Sequence, residues 1–296
     1  MACVSLTTDY GLADGFVAAC HGVLLRQAPG VPIVDVTHLI PPGDVRRGAA
    51  VLAQTVPHLP RGAHVAVVDP GVGTRRRAVA LRTPKGFLVG PDNGLLLPAA
   101  EALGGVVEAV DLTIPAGIPA TFHGRDVFAP AAAALVTGRP LAELGRPADP
   151  ATLVRLPEPV ARLLPAPAGA GAPRLEAEVV LVDGFGNVQL AAGGDLLRQA
   201  GLLPGERVTL ARAGRPADAG GAGGDDAAGH DAAGAAAGPV VLAADVAVGV
   251  TFGSVGPGEL VLYVDSAGMA ALAERDGDAA RRLGLRPGDL VLVARR

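Results

Sequence analysis

Tryptophan is absent from this chain of 296 residues, and the whole aromatic content is only 3%. Half of the residues are apolar, so a sizeable core can still be buried, but it must be packed mainly from Ala, Val and Leu. Cysteine is scarce as well, because Cys3 and Cys20 are too few to form a disulfide framework in a chain of this length. We predict two buried free thiols in a reducing compartment.

Positive charge is also limited, and arginine supplies nearly all of it in a chain of net charge −4. This composition excludes the broad basic field of a nucleic-acid-binding protein. The sequence has no uninterrupted apolar run of the length that a membrane span requires. Its N-terminus, MACVSLTTD, lacks the basic region and cleavage site of a signal peptide. We therefore expect a cytoplasmic protein that binds neither nucleic acid nor membrane.

The apolar pattern divides the chain into two predicted domains. In residues 1–160, short β-rich runs alternate with helical periodicity, which predicts a Rossmann-like α/β domain on a parallel sheet. Residues 161–173 are rich in Pro and Ala and are predicted to form a linker. Residues 174–296 hold short strands and Gly-rich turns, which predicts a smaller β-barrel-like domain. Within it, residues 212–239 are almost wholly Gly, Ala, Asp and Pro, and we predict a disordered insertion.

Several N-terminal elements can be placed from the sequence. The apolar spacing predicts a strand over 3–8 and helices over 14–27 and 126–137. Pro84-Lys85-Gly86 predicts a hairpin, and Asp44 is the expected N-cap of another helix. Together these elements define where the predicted strands of the sheet end.

Polar residues cluster at those strand ends. In α/β sheets, ligands bind beyond the carboxyl ends of the strands. This rule selects four segments, which are residues 7–14, 35–38, 69–74 and 122–126. Their carboxylates and imidazoles suit either acid/base chemistry or a nucleotide site.

Each of these segments also admits a structural interpretation. Asp9 could be a turn residue and Asp14 a helix cap, and Asp35 and His38 could anchor a loop. The three arginines 75–77 could form a solvated turn, and His123 could be a core histidine. The glycine pair Gly71 and Gly73 lacks the lysine of a phosphate-binding loop. No spacing of Cys, His and Asp matches a zinc or iron site, so we predict no metal.

Seven motifs follow one another along nearly the whole chain. They are TTDYGLAD (7–14), VDVTHLIPPGD (34–44), VVDPGVGTRRR (67–77), GPDNGLL (90–96), TFHGRDVFAP (121–130), VDGFGNV (182–188) and LYVDSAG (262–268). In this order they resemble the S-adenosyl-L-methionine hydroxide adenosyltransferases, which are relatives of the fluorinases and chlorinases. The resemblance implies an N-terminal α/β domain, a C-terminal β domain and a homotrimer with active sites between subunits.

The resemblance also implies a reaction, namely hydrolysis of S-adenosyl-L-methionine to adenosine and L-methionine by water or hydroxide at ribose C5′. By motif position, the catalytic residues are Asp69, Arg76 and His123. The substrate-binding positions are Asp9, Asp14, Phe122, Asp183, Phe185, Asn187, Phe252 and Ser266. No metal or cofactor is implied, and the expected partner is the small-molecule substrate. Which group accepts the proton of the water stays open.

Two alternative functions stay open beside hydrolysis, a halide adenosyltransferase and a non-catalytic module that binds an adenosyl ligand. The halogenating relatives carry Tyr, Thr and Ser where this chain has Asp69, Val72 and Gly124. The residues that would hold a halide are therefore missing, which favours hydrolysis. The halogenases also have an Arg where this chain has Ala267, so the sequence does not identify the contact for the methionine carboxylate.

Overall fold

Residues 2–166, 171–214 and 244–296 are described by a computed structural model of the chain. The chain divides into two units, Met1–Pro157 and Glu158–Arg296. The first unit is α/β and the second is a β-barrel, so the predicted fold class is confirmed.

The N-terminal unit is built on a mixed seven-stranded sheet. Its strands are β1 (Cys3–Thr8), β2 (Ile33–Thr37), β3 (Gly62–Val67), β4 (Ala78–Thr83), β5 (Gly86–Pro91), β6 (Glu108–Leu112) and β7 (Gly145–Ala148), in the spatial order β2-β1-β3-β5-β4-β6-β7. Strands β2, β1, β3 and β5 are parallel, whereas β4, β6 and β7 pair antiparallel. The prediction of a parallel sheet is therefore wrong for one half, because the hairpin at Pro84 and Lys85 reverses the chain between β4 and β5.

Helices cover both faces of this sheet. They are α1 (Phe16–Gln27), α2 (Val45–Thr55), α3 (Leu97–Ala102) and α4 (Ala129–Val136). Along β3, Val65 and Val67 join the core beneath α1 and α4, whereas Ala66 joins the core beneath α2 and α3. Side chains of a strand alternate between its faces, so one strand serves both cores.

The helix starts agree with the sequence in one case and differ in two. Asp44 caps α2 as predicted, because its Oδ1 accepts from Arg47 N–H at 2.9 Å. Helix α1 begins at Phe16, with Gly15 rather than Asp14 at its N-cap. The helix predicted over 126–137 is a π-helical turn, Gly124–Phe128, followed by α4.

The C-terminal unit is a closed seven-stranded barrel. Its strands are β9 (Arg174–Val182), β10 (Val188–Gly193), β11 (Arg207–Gly214), β12 (Ala244–Val248), β13 (Leu260–Val264), β14 (Met269–Glu274) and β15 (Leu290–Arg295), and the unit also holds α5 (Gly194–Gln199) and α6 (Ala279–Leu283). The order β10-β14-β13-β12-β11-β15-β9 closes because β9 also pairs with β10. An additional strand, β8 (Ala161–Leu164), pairs with β9 outside the ring.

Two predicted boundaries in the second half need correction. Strand β8 lies inside the predicted linker 161–173, where Leu163 pairs with Leu175 and packs against the barrel core. Strand β11 continues to Gly214, so the first three residues of the predicted insertion 212–239 belong to a strand. The rest of that insertion lies outside the described residues.

The cores are aliphatic, as the composition predicts. Alanine, valine and leucine dominate the buried residues, and Phe128 is the largest side chain that is fully buried. Cys3 and Cys20 are buried free thiols, as predicted. Among the described residues, no helix combines the length and apolar character that crossing a bilayer requires.

Candidate active site

The loop after β3 brings Arg76 back onto Asp69. Two successive turns fold it: Val72 N–H donates to Asp69 O at 3.2 Å, and Thr74 N–H donates to Gly71 O at 3.1 Å. The Thr74 hydroxyl reinforces the second turn by donating to Gly71 O at 2.7 Å. A carboxylate at the end of a central strand thereby meets a guanidinium seven residues later in the chain.

Asp69 and Arg76 form a buried ion pair. Arg76 Nε donates to both carboxylate oxygens at 3.0 Å, and Nη2 also contacts Oδ2. The side chains are only 5% and 10% exposed, respectively. A guanidinium that donates through two nitrogens to one carboxylate is held strongly and in a defined orientation. The pair therefore fixes where the remaining N–H groups of Arg76 point.

The neighbouring arginines have other roles. Arg75 is exposed. Arg77 Nε donates to Asp92 Oδ2 at 2.8 Å, and its Nη2 donates to Thr152 O at 2.6 Å. Of the three consecutive arginines, Arg76 is thus the one that engages the carboxylate after β3, in agreement with the predicted position.

His123 completes the cluster from the segment before α4. Its Nδ1 lies 2.9 Å from Arg76 Nη2, and the residue is 5% exposed. Phe128 packs against both groups, with Arg76 Cζ 5.4 Å from its ring centre and the His123 ring edge-on at 6.4 Å. The π-helical turn after His123 is a feature often found at functional sites. The structure therefore brings together the three residues predicted to be catalytic.

The hydrogen bond to Arg76 determines the tautomer of neutral His123. A guanidinium can only donate, so Nδ1 accepts and the ring proton resides on Nε2. Burial lowers the pKa of His123, and the charge of Arg76 lowers it further, against the opposing effects of Asp69 and Asp126. His123 is consequently neutral at pH 7 and presents an Nε2–H donor.

Phe122 belongs to a three-ring cluster beside these residues. Its ring meets Tyr10 at 5.7 Å and Phe16 at 5.3 Å, both edge-on, and Tyr10 and Phe16 are 5.9 Å apart. The Arg125 guanidinium lies over the Phe122 ring at 4.8 Å. The predicted substrate-binding position Phe122 is therefore held by aromatic packing.

Tyr10 is the site residue that the sequence analysis missed. A Cβ atom added at Gly124 would collide with the Tyr10 hydroxyl oxygen and lie 3.0 Å from Cζ. Burial raises the pKa of Tyr10, and the nearby Cys20, Asp9 and Asp69 raise it further, so the hydroxyl stays protonated. Its position beside Asp9 in the run 7–14 was the available signal. The contact with Gly124 depends on the fold and could not be read from that run.

The two predicted carboxylates of the first loop have different surroundings. Asp9 Oδ2 accepts from Gly43 N–H at 2.9 Å, and Asp9 N–H donates to Val67 O at 3.3 Å. Asp9, in the loop after β1, is therefore tied to the loop after β2 and to the last residue of β3. Asp14 is exposed in the bend before α1.

Three predicted residues of the C-terminal unit share the loop between β9 and β10. Asp183 Oδ1 accepts from the backbone N–H groups of Phe185 and Asn187 at 2.8 and 2.9 Å, and Oδ2 accepts from Asn187 Nδ2 at 2.7 Å. The turn that these hydrogen bonds define leaves Phe185 82% exposed. An exposed phenyl ring on an ordered turn is a surface suited to stacking on a planar ligand.

The other two predicted residues of this unit also lie at loops. Phe252 packs edge-on against Tyr263 at 5.1 Å and stays 45% exposed. Ser266 is exposed in the turn between β13 and β14, which Asp265 Oδ1 holds by accepting from Ala267 N–H at 2.8 Å and Met269 N–H at 2.9 Å. Both positions are accessible to a ligand.

Comparisons with known proteins agree with the motif pattern. Residues 4–145 match the model of the SAM hydroxide adenosyltransferase N-terminal domain, and residues 236–292 match that of the C-terminal domain. The chain is 53% identical to a protein from Salinispora tropica named (R)-S-adenosyl-L-methionine hydrolase, over 98% of this chain and 97% of the relative. A protein named fluorinase from an Actinoplanes species is 29% identical to the chain, over 99% of this chain and 97% of the relative.

A solved structure is similar to the chain over nearly its whole length. The crystal structure of an uncharacterized conserved protein from Thermotoga maritima superposes with a TM-score of 0.80. It is 30% identical in sequence and covers 99% of this chain and 100% of the other. The two-unit fold is therefore shared with this protein.

Proposed function

The chain belongs to the SAM hydroxide adenosyltransferase family, and we propose that it hydrolyses S-adenosyl-L-methionine to adenosine and L-methionine. The observation that carries this proposal is the buried cluster of Asp69, Arg76 and His123. The name of the Salinispora relative specifies the (R) epimer at sulfur, and we propose the same preference here.

The chemistry needs a well-placed nucleophile more than it needs an acid. Methionine leaves from a sulfonium as a neutral thioether, so no proton has to be supplied to expel it. Our proposal accordingly includes no metal and no cofactor in the chemical step. Holding water in line with the C5′–S bond can contribute roughly 7–11 kcal/mol in the best cases.

We assign the three clustered residues distinct roles. The His123 Nε2–H group and the remaining N–H group on Arg76 Nη1 are donors. They suit a hydroxide from solvent, or a water whose proton passes to solvent as the C5′–O bond forms and the C5′–S bond breaks. Asp69 orients Arg76 and balances its charge. In this arrangement His123 positions the nucleophile through a donated hydrogen bond, which differs from deprotonation through a free Nδ1.

The substrate contacts follow the predicted positions. Asp9 Oδ2 is engaged by Gly43, so Oδ1 is the oxygen that we assign to the ribose hydroxyls. We assign Phe122 to packing beside the adenosyl group, and Asp14 and Ser266 to the amino acid end. The exposed Phe185 on the Asp183 turn is assigned, with Asn187 and Phe252, to the adenine.

The first test follows the oxygen atom. Incubation of the purified protein with S-adenosyl-L-methionine in H₂¹⁸O should give adenosine that carries ¹⁸O at the 5′ position, because the nucleophile comes from solvent. Mass spectrometry of the chromatographed product measures this label. Parallel assays with the separated (R) and (S) epimers should show faster turnover of the (R) form.

The same assay separates the rival functions. A 5′-chloro-adenosine formed in the presence of chloride would identify a halide adenosyltransferase. Stoichiometric binding of the substrate without any release of adenosine would identify a non-catalytic binding module. Either result would overturn the proposed hydrolysis.

The pH dependence tests the state of His123. As pH falls, His123 takes a second proton on Nδ1 and can no longer accept from Arg76. Burial and Arg76 lower the pKa of His123 below the ordinary value of about 6.5. The contribution of neutral His123 to kcat/KM should therefore be lost with a midpoint below pH 6.5. This decrease in kcat/KM at low pH, the acid limb of the profile, should be absent from the His123→Gln variant. A limb centred above pH 6.5 would contradict the assignment.

We also propose a homotrimer in the cytoplasm. Large apolar side chains are exposed near the proposed substrate residues, with Leu12 at 69% and Leu39 at 65%. Burial of such residues between subunits would remove apolar surface from water. Light scattering coupled to size-exclusion chromatography should give three times the chain mass of 29.4 kDa.

A further inference from the structure

Three side chains outside the proposed active site converge on one point beside β2. His21 projects from α1, Asp35 from β2, and His38 follows the end of that strand. His21 Nε2 lies 2.8 Å and His38 Nε2 lies 3.0 Å from the same oxygen, Asp35 Oδ1. One ligand atom from each of the three residues lies within 4.8 Å of the other two. We propose that these three residues form a binding site for a zinc-like divalent cation.

The buried imidazole of His38 carries this inference. His38 is 4% exposed, and its Nδ1 lies 2.9 Å from Thr8 Oγ1. Its Nε2 lies 3.0 Å from Asp35 Oδ1 but without the alignment of a hydrogen bond, so it is a buried polar atom that no hydrogen bond satisfies. Leaving a buried polar atom unpaired is costly, and a cation between Nε2 and the carboxylate would satisfy both.

Thr8 supplies the support that a histidine ligand normally has. Its Oγ1 already accepts from Tyr10 N–H at 3.2 Å and lies on the far side of the His38 ring from Asp35. When Nδ1 of His38 donates to this oxygen, Nε2 carries a lone pair aimed at the carboxylate. Ligating histidines are typically held through their second nitrogen in this way.

The donor set and its exposure fit zinc. Two imidazole nitrogens and one carboxylate oxygen are the ligands of three-protein-ligand zinc sites, which take water as the fourth ligand. Zinc–ligand bonds of about 2.0–2.2 Å would place each imidazole nitrogen a few tenths of an ångström farther from Asp35 Oδ1 than it lies in this structure. The side chains of His21 and Asp35 are 30% and 41% exposed, so a cation and a water can reach them and both can adjust.

The site would stabilise a loop that matters for the proposed substrate contacts. His38 begins the segment that leads to Gly43, whose N–H donates to Asp9. Gly11 N–H donates to His38 O at 2.8 Å, and this hydrogen bond ties the same segment to the loop after β1. A bound cation at His38 would therefore fix both loops, while the chemistry stays with Asp69, Arg76 and His123.

The experiment is zinc binding to the untagged full-length chain after dialysis against a chelator. Isothermal titration calorimetry should give one tight zinc per chain, and zinc should raise the melting temperature, whereas magnesium should not. The cobalt-substituted protein should show the intense visible absorption of tetrahedral coordination.

Variants locate the site without depending on enzyme activity. His21→Gln and Asp35→Asn change partly exposed side chains and should weaken zinc binding by at least about 10-fold. Thr8→Val should weaken it by roughly 10–100-fold. His58→Asn changes an exposed histidine elsewhere and should bind zinc like the wild type. Zinc binding that persists in His21→Gln and Asp35→Asn, or none in the wild type, would show that the cluster is only a hydrogen-bonded loop anchor and would overturn the proposal.

Discussion

Replacement of His123 by Asn is expected to lower kcat by about 10²–10³-fold, as for loss of one hydrogen-bond donor to the reacting oxygen, whereas replacement by Gln should retain more of the rate. The Asn amide lies near the position of Nδ1 and can still accept from Arg76 Nη2, but it leaves nothing at the position of Nε2. The Gln amide reaches toward Nε2 and can donate to the nucleophile. Adenosine release, measured by chromatography at saturating substrate, compares the two variants.

The comparison tests the donor role of Nε2 directly. Melting temperatures close to that of the wild type should show that both variants fold, and His58→Asn serves as the matched surface control. Equal losses of kcat in His123→Asn and His123→Gln would contradict the role given to Nε2–H. Full activity in both variants would remove His123 from the mechanism. Asp69→Ala is less informative, because an unpaired buried charge on Arg76 can cost about 3–5 kcal/mol of folding stability.

The sequence predicted which residues belong to the proposed catalytic cluster, but it could not predict how their side chains contact one another. Motif positions identified Asp69, Arg76 and His123 individually. That Arg76 lies between the other two depends on the two turns after Asp69 and on the π-helical turn after His123. This geometry assigns Nε2 of His123 the role of a donor rather than an acceptor. That role could therefore be inferred only from the structure.

The barrel shows a similar limit. The sequence predicts short strands in this domain, but the segment that forms β14, Met269–Glu274, is rich in Ala, Leu and Glu, which favour helices. Pairing with both β10 and β13 overrides that local preference. Closure through β9 and β10 brings together strands whose pairing has no signal in the local sequence.

Tyr10 and Gly124 lead to the second large effect. Gly124→Ala is expected to lower stability by about 1–3 kcal/mol, because the added Cβ collides with the Tyr10 hydroxyl. Tyr10 cannot easily move away, since Phe16 and Phe122 pack against its ring. The displaced turn should also misplace the adjacent His123, so kcat should fall with stability. Thermal melting and adenosine release measure the two losses.

A double-mutant cycle shows whether the collision is the cause. In a Tyr10→Leu background the space at position 124 is open, so adding Gly124→Ala should cost much less stability than it does alone. Gly15→Ala is the control, because a Cβ there meets nothing within 4 Å and the backbone φ is negative. Additive losses in the cycle would show that Tyr10 does not exclude side chains at position 124.

The close approach of Tyr10 to Gly124 also affects which nucleophile the site can hold. The halogenating relatives have a serine at the position of Gly124, and a serine here meets the same obstacle as alanine. Gly124→Ser should therefore be destabilised in the presence of Tyr10 and recover in Tyr10→Leu. Melting curves of the single and double variants measure this recovery. If Gly124→Ser alone melts like the wild type, Tyr10 leaves room for that side chain, and specificity for water must be attributed to Asp69 and its partners instead.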